Sequence, residues 1–285
     1  MLKHRIITAV WLIPLVMGAI FFFPVEYFSW ALVAVFLIAA KEWGRIIDKR
    51  CNVTQWSFTL TIGILLVALN LLVPTEEVWF KGQLHPVYLA ITLIGAMWWA
   101  ISLLLVLSYP KSAALWGKSH MLKSMFGQLT LVPCFTALIA LKALSTTNMP
   151  YYGGALVFLV MLTVWATDSG AYFAGKAMGK HKLMPNVSPA KTVEGLLGGL
   201  LTTMLVVAGV MIVSPEQELG LVIGVTLFVA LVSALGDLSE SMFKRVAEIK
   251  DSGTILPGHG GVLDRIDSLT AALPVFTLIY IAFWM

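Results

Sequence analysis

Apolar runs long enough to cross a bilayer recur along this 285-residue chain, and they constrain its fold more than any motif does. A membrane-crossing helix needs about 20 predominantly apolar residues. Lipid offers no partner to a backbone N–H or C=O, so each run must close its own hydrogen bonds as a helix. Such runs cover residues 6–23, 27–40, 58–73, 87–107, 127–139, 154–173, 193–213, 221–235 and 269–284. Charged residues make up only 12% of the chain and the mean hydropathy is +0.89. A soluble domain carries about 25% charged residues. The expectation is an all-α, polytopic integral membrane protein with about nine transmembrane helices. The basic start and first apolar run resemble a signal peptide. That run exceeds the usual apolar core of roughly 7–15 residues and no small-residue cleavage pattern follows, so it reads as a retained span.

Charge distribution orients the chain. With the N-terminus in the cytoplasm, 17 of the 19 Lys and Arg fall in cytoplasmic segments, and only Lys81 and Lys142 lie on the far side. That asymmetry is the positive-inside pattern. It also accounts for the net charge of +4 and the pI near 9.0 without nucleic acid as a partner. Cys51 and Cys134 are distant and lack metal-ligand spacing, so neither receives a catalytic role. Nothing repeats at a period of 20–50 residues. The chain reads as a single membrane domain, 1–285, with N-terminal helices over 1–143 and the chemistry-bearing helices over 153–285.

The first half reads as chemically quiet. Lys41, Glu42, Arg45 and Asp48 recur at helical spacing and suit intrahelical pairing. Trp98 and Trp99 read as bilayer packing or interface residues. The second half differs. Asp168 closes an apolar run, and a carboxylate at the edge of a span is a functional candidate by default. The small residues after it, Gly170, Ala171, Ala174, Gly175 and Gly179, also suit close helix contact. Next, Ser188 and Pro189 read as an N-cap or turn before the span at 193–213. Lys191, Thr192 and the helix amides suit a phosphate, and Glu194 suits the helix dipole. P-loop spacing is absent.

Charge then concentrates. Ten of the Asp, Glu, Lys and Arg residues fall in 237–267: Asp237, Glu240, Lys244, Arg245, Glu248, Lys250, Asp251, Asp264, Arg265 and Asp267. Asp237, Glu240 and Lys244 stand at i, i+3 and i+7, on one helical face. Pro257, Gly258, Gly260 and Gly261 then form a turn whose amides suit close approach to a ligand. Asp264 and Asp267 follow, three residues apart. A divalent ion such as Mg²⁺ takes one or two carboxylates plus substrate phosphates, which Asp237 and Asp264 would supply from adjacent helices. Asp267 either assists or pairs with Lys244 or Arg265.

The pattern S-x-x-K-R-x4-K-D-x-[GSA]-x2-[LIF]-[PGS]-x-H-G-G-[LIVMF]-x-D-R-x-D, spanning Ser241 to Asp267, resembles the signature of the phosphatidate cytidylyltransferases, or CDP-diacylglycerol synthases. The stretch SPAKTVEG resembles a second short motif of that family. The resemblance implies a bacterial, full-length enzyme of the cytoplasmic (inner) membrane with its site facing the cytoplasm. Phosphatidic acid and CTP would be its substrates, CDP-diacylglycerol and pyrophosphate its products. Mg²⁺ would be bound by Asp237 and Asp264, with Asp267 as a third ligand or an outer group. Lys244, Arg245, Lys250 and Arg265 would contact phosphates, with Ser188 and Lys191 holding the lipid or nucleotide phosphate. Asp168 either orients a cationic group or binds a second cation. His259 either donates to a phosphate or holds the turn. The bilayer is the remaining partner, and a homodimer stays open. The rivals explain less. A CDP-alcohol phosphotransferase needs an aspartate-rich pattern that is missing here. A transporter would place paired charges near the midplane, and a scaffold needs no flanked glycine turn.

Overall fold

The computed structural model describes residues 2–256, 258 and 260–285, with side chains described from residue 10 onward. In chain order the helices are α1 (Leu2–Phe22), α2 (Val25–Ile47), α3 (Asn52–Leu72), α4 (Pro86–Leu107), the short α5 (Ala113–Trp116), α6 (His120–Lys142), α7 (Tyr152–Met178), α8 (Val193–Val213), α9 (Leu219–Val246) and α10 (Leu263–Trp284). Seven of them, α3, α4 and α6 to α10, are long and apolar enough to cross a membrane. The chain is therefore an all-α polytopic membrane protein. Two antiparallel hairpins are added in loops: β1 (Trp79–Phe80) with β2 (Gln83–Leu84), and β3 (Lys182–Met184) with β4 (Ser188–Thr192).

Several helices outrun their apolar stretches. The run at 221–235 continues as α9 to Val246, and the run at 269–284 begins as α10 at Leu263. Intrahelical hydrogen bonding does not stop where hydrophobicity stops, because the next backbone group still gains a partner by continuing. This extension puts Asp237, Glu240 and Lys244 on one helix and Asp264 and Asp267 on the next.

Packing ranks the helices. In α6 and α10, 67% and 61% of the apolar window is buried, against 22% in α8, so the first two form the centre. Leu197, Leu201 and Leu205 of α8 recur every four residues and stay exposed, a face suited to lipid. The opposite face of α8 packs on α7 almost backbone to backbone. A Cβ on Gly198 would stand 2.1 Å from the Ala174 Cβ, and one on Gly170 would stand 2.2 Å from Thr202 Oγ1. Small residues let transmembrane helices approach where hydrophobicity supplies no attraction between them.

An aromatic cluster forms the floor under one end of the bundle. Trp98 stacks on Phe126 with ring centroids 4.6 Å apart, and Trp43 and Trp116 lie 5.3 and 5.1 Å from Phe243. Trp98 and Trp99 are thus core residues, rather than the bilayer-packing or interface residues expected. The indole N–H groups of these two have protein partners: Trp98 Nε1 donates to Thr130 Oγ1 at 3.0 Å and Trp99 Nε1 to the Thr270 carbonyl at 3.0 Å. A paired N–H removes the reason for a tryptophan to seek the headgroup region.

Candidate functional site

One end of the bundle collects the polar loops. The loop after α2, the β3–β4 hairpin and the α9–α10 loop all meet there. Lys49 pairs with Glu248 at 2.6 Å, Arg45 Nη1 donates to the Ser252 carbonyl at 2.5 Å, and Arg245 Nε donates to the Val187 carbonyl at 3.2 Å. The two segments singled out in the sequence are joined directly. Lys191 Nζ of β4 lies 2.6 Å from Asp237 Oδ2 of α9, both partly buried. Ser241 Oγ approaches the other oxygen of Asp237 at 3.4 Å. Asp168 of α7 is close enough to Asp237 to repel it and to Lys191 and Arg265 to be attracted. Four charges from four elements therefore face one another. The Asp168 carboxylate and the Arg265 guanidinium make no direct hydrogen bond among the described residues, and both are exposed.

Asp264 organises the adjoining loop. Its Oδ1 accepts from Lys244 Nζ at 2.8 Å and from the Ser252 amide at 3.1 Å, and its Oδ2 accepts from the Gly261 amide at 2.8 Å. Lys244 also donates to Glu240 Oε2 at 3.2 Å, so the lysine links α9 to α10 through two carboxylates. Glu240 is buried beside Asp267, whose Oδ1 accepts from the Ser268 amide at 2.8 Å. Of the alternatives for Asp267, the ion pair with Lys244 is not the one formed among the described residues, because Lys244 pairs with Asp264 and Glu240. Lys250 and Arg245 are exposed at the rim. His259 lies outside the described residues.

Some expected roles change. Ser188 opens strand β4 and pairs with Met184; the helix N-cap is Thr192, whose hydroxyl accepts from the Gly195 amide at 3.1 Å. Pro189 explains the shift, since a residue before proline is held extended, which suits a strand. Glu194 accepts from the Lys180 and His181 amides at 3.0 and 3.1 Å and pairs with His181 Nδ1 at 2.5 Å. It fastens the hairpin to α8.

Two residues read as intrahelical pairing brace the loop instead. Glu42 and Arg45 do not pair along α2; both reach the α9–α10 loop. Glu42 accepts from the Val262 and Leu263 amides at 3.1 and 2.7 Å and from Ser252 Oγ at 3.2 Å. The available signal was position: Glu42 follows an apolar run, as Asp168 does, and a carboxylate there is costly unless paired.

A divalent cation suits this donor set in part. Among the described residues, no three His, Cys, Asp or Glu side chains converge as a ready-made metal cluster. Asp237 and Asp264 nevertheless each already balance a lysine cation, and Mg²⁺ needs only one or two carboxylates when phosphates supply the other oxygens. The donor chemistry therefore fits a cation that arrives with a phosphate-bearing ligand.

Fold and site together define a helical membrane protein with a carboxylate- and cation-rich end. Comparison with known proteins narrows that class. Residues 3–283 match the Cytidylyltransferase family, and the chain belongs to it. It is 42% identical over 288 residues to a phosphatidate cytidylyltransferase of Haemophilus influenzae, covering 98% of this chain and 99% of that protein. A phosphatidate cytidylyltransferase of Pseudomonas aeruginosa is 41% identical over 287 residues, covering 100% of this chain and 99% of the relative. One of Bacillus subtilis is 41% identical over 150 residues, 52% of this chain and 55% of the relative.

Proposed function

We propose that this chain is a nucleotidyltransferase that joins phosphatidic acid to CTP, giving CDP-diacylglycerol and pyrophosphate. The observation that carries the reading is the Lys191–Asp237 contact, which sets the SPAKTVEG stretch against α9 one turn ahead of Ser241, where the signature begins, at one end of a membrane bundle. An oxygen of the lipid phosphate attacks the α-phosphorus of CTP. The new O–P bond forms as the bond from the α-phosphorus to the bridging oxygen breaks, and pyrophosphate leaves with that electron pair. A phosphate monoester is already a nucleophile, so the protein's task is positioning and charge neutralisation.

The residues divide accordingly. Lys191, Arg245, Lys250 and Arg265 bind phosphate oxygens, with Ser188 and Thr192 at the hairpin. Lys244 holds Asp264 and Glu240 in register and lends its charge to the same end. Asp237, Asp264 and Asp267 are the carboxylates assigned to Mg²⁺, with Asp168 beside a second cation. When bound, the metal neutralises charge on the reacting phosphates. The positive-inside count and the gathering of polar loops at one end support nine spans, a cytoplasmic N-terminus and a site facing the cytoplasm.

The test is direct. Purified protein in detergent is incubated with labelled CTP, phosphatidic acid and Mg²⁺. The expected result is CDP-lipid and pyrophosphate release that requires all three. Release without lipid, or none with any divalent ion, would refute the reading.

A further inference from the structure

We infer that Glu42, in the N-terminal half of the chain, is a positioning residue for the catalytic loop, an inference that rests on the proposed function. The N-terminus of α10 needs such a group. Its N-cap is Val262, which has no side chain able to accept the free amides. Glu42 supplies the missing cap from a different helix, accepting from the Val262 and Leu263 amides and from Ser252 Oγ. It is 5% exposed, so these contacts form out of water, where they are strongest.

The loop is shaped around this carboxylate. A Cβ on Gly261 would lie 2.5 Å from Glu42 Oε2 and 2.2 Å from Ser252 Oγ. Glycine at that position of the signature therefore makes room for an acid contributed by α2. Arg45, one turn further along α2, holds the Ser252 carbonyl. Ser252 and Gly261 are the same residues whose amides bind Asp264. One loop thus carries two carboxylates on its two sides: Glu42 fixes it to α2, and Asp264 reads its position and presents Lys244 to the site. Moving Glu42 moves Asp264 and its neighbour Arg265 without touching substrate.

The experiment compares the full chain with Glu42→Gln, Glu42→Asp, Gly261→Ala and the far-end control Tyr280→Phe, all purified in detergent. Turnover, KM for CTP, Mg²⁺ requirement and folded fraction are measured for each. The expected result for Glu42→Gln is a loss in kcat of ~10²-fold, the scale of a misplaced reacting group. Its Mg²⁺ requirement should rise about tenfold, as for outer groups that orient a metal site. KM for CTP should change far less, and Glu42→Asp should recover part of the loss. Gly261→Ala should reproduce the loss, and the Glu42→Gln/Gly261→Ala pair should be no worse than either alone. Tyr280→Phe should keep the parental Mg²⁺ requirement. Parental kcat and Mg²⁺ requirement in Glu42→Gln, or a loss that only tracks its folded fraction, would overturn the inference. Should Glu42→Gln fail to fold, parental behaviour of Gly261→Ala overturns it equally. A parent protein without lipid-dependent transfer removes the function and this inference together; an active parent with an indifferent Glu42→Gln removes only the inference.

Discussion

The two ends of the bundle use polar groups in opposite ways. At the far end, Tyr152 and Tyr280 share one hydrogen bond at 2.8 Å, Trp284 Nε1 donates to Gln217 at 2.7 Å, and the buried Lys142 caps the Ile20 carbonyl of α1 at 2.6 Å. Each group has a local structural partner. At the charged end, a similar buried lysine, Lys123, caps the Ile46 and Ile47 carbonyls of α2. Structure there is satisfied in the same manner, yet Asp168, Arg265, Lys191 and Asp237 remain as a further set of charges. Buried polar groups alone do not locate a site, since both ends have them. Surplus locates it: charged capacity beyond what the helices need for themselves.

The largest test of that contrast is Asp237→Asn. It should lower CDP-lipid formation by about 10²–10³-fold, the range for losing one group that stabilises developing charge, with membrane insertion unchanged by fractionation. Parental turnover would remove the charged end's claim to chemistry. Next comes Asp264→Asn, which takes one partner from a pair only 6% and 14% exposed. It should cost about 3–5 kcal/mol as well as activity. A Lys244→Met/Asp264→Leu double variant should recover much of the thermal midpoint and none of the turnover. Recovery of both would mean the pair is structural, like the far end.

Tyr280→Phe sharpens the comparison from the other side. Losing one neutral hydrogen bond should cost about 1 kcal/mol, seen as a small fall in thermal midpoint at unchanged kcat. The smallest effect belongs to Lys49→Ala. Glu248 is exposed, and the Lys49 ammonium beside it holds its carboxyl below the ordinary glutamate range. That contribution is present above the ordinary glutamate pKa and is lost as pH falls through the depressed one. Exposed pairs are weak, so midpoints of parent and Lys49→Ala should coincide near pH 7 and at every lower pH within error.

Much of this was legible in the sequence because bilayer physics is severe. Apolar runs located the helices, since hydrocarbon tolerates little else. The charge concentration at 237–267 and SPAKTVEG marked the segments that meet as Asp237 and Lys191. Asp264 was expected on a helix next to that of Asp237, but hydropathy was silent on where helices end, so the start of α10 at Leu263 came only with the structure. Ser188 reads as an N-cap or turn because Ser-Pro suits a helix start, a turn and a strand alike, and nothing in that dipeptide marks the pairing with Met184 across the turn at 185–187. Glu42 was misread for a related reason. Spacing along one helix reveals neighbours on that helix, whereas its partners sit at residues 252, 262 and 263.

That separation bears on how the protein is made. Glu42 leaves the ribosome 221 residues ahead of Leu263. At synthesis rates of roughly 5–20 residues per second, its carboxylate waits about 10–45 s for its partners. Throughout that interval the backbone amides it will cap do not yet exist, so the acid near the end of α2 lacks these partners. Support for the loop at its earliest acid is therefore completed only after the residues that begin the final helix, α10, have been made.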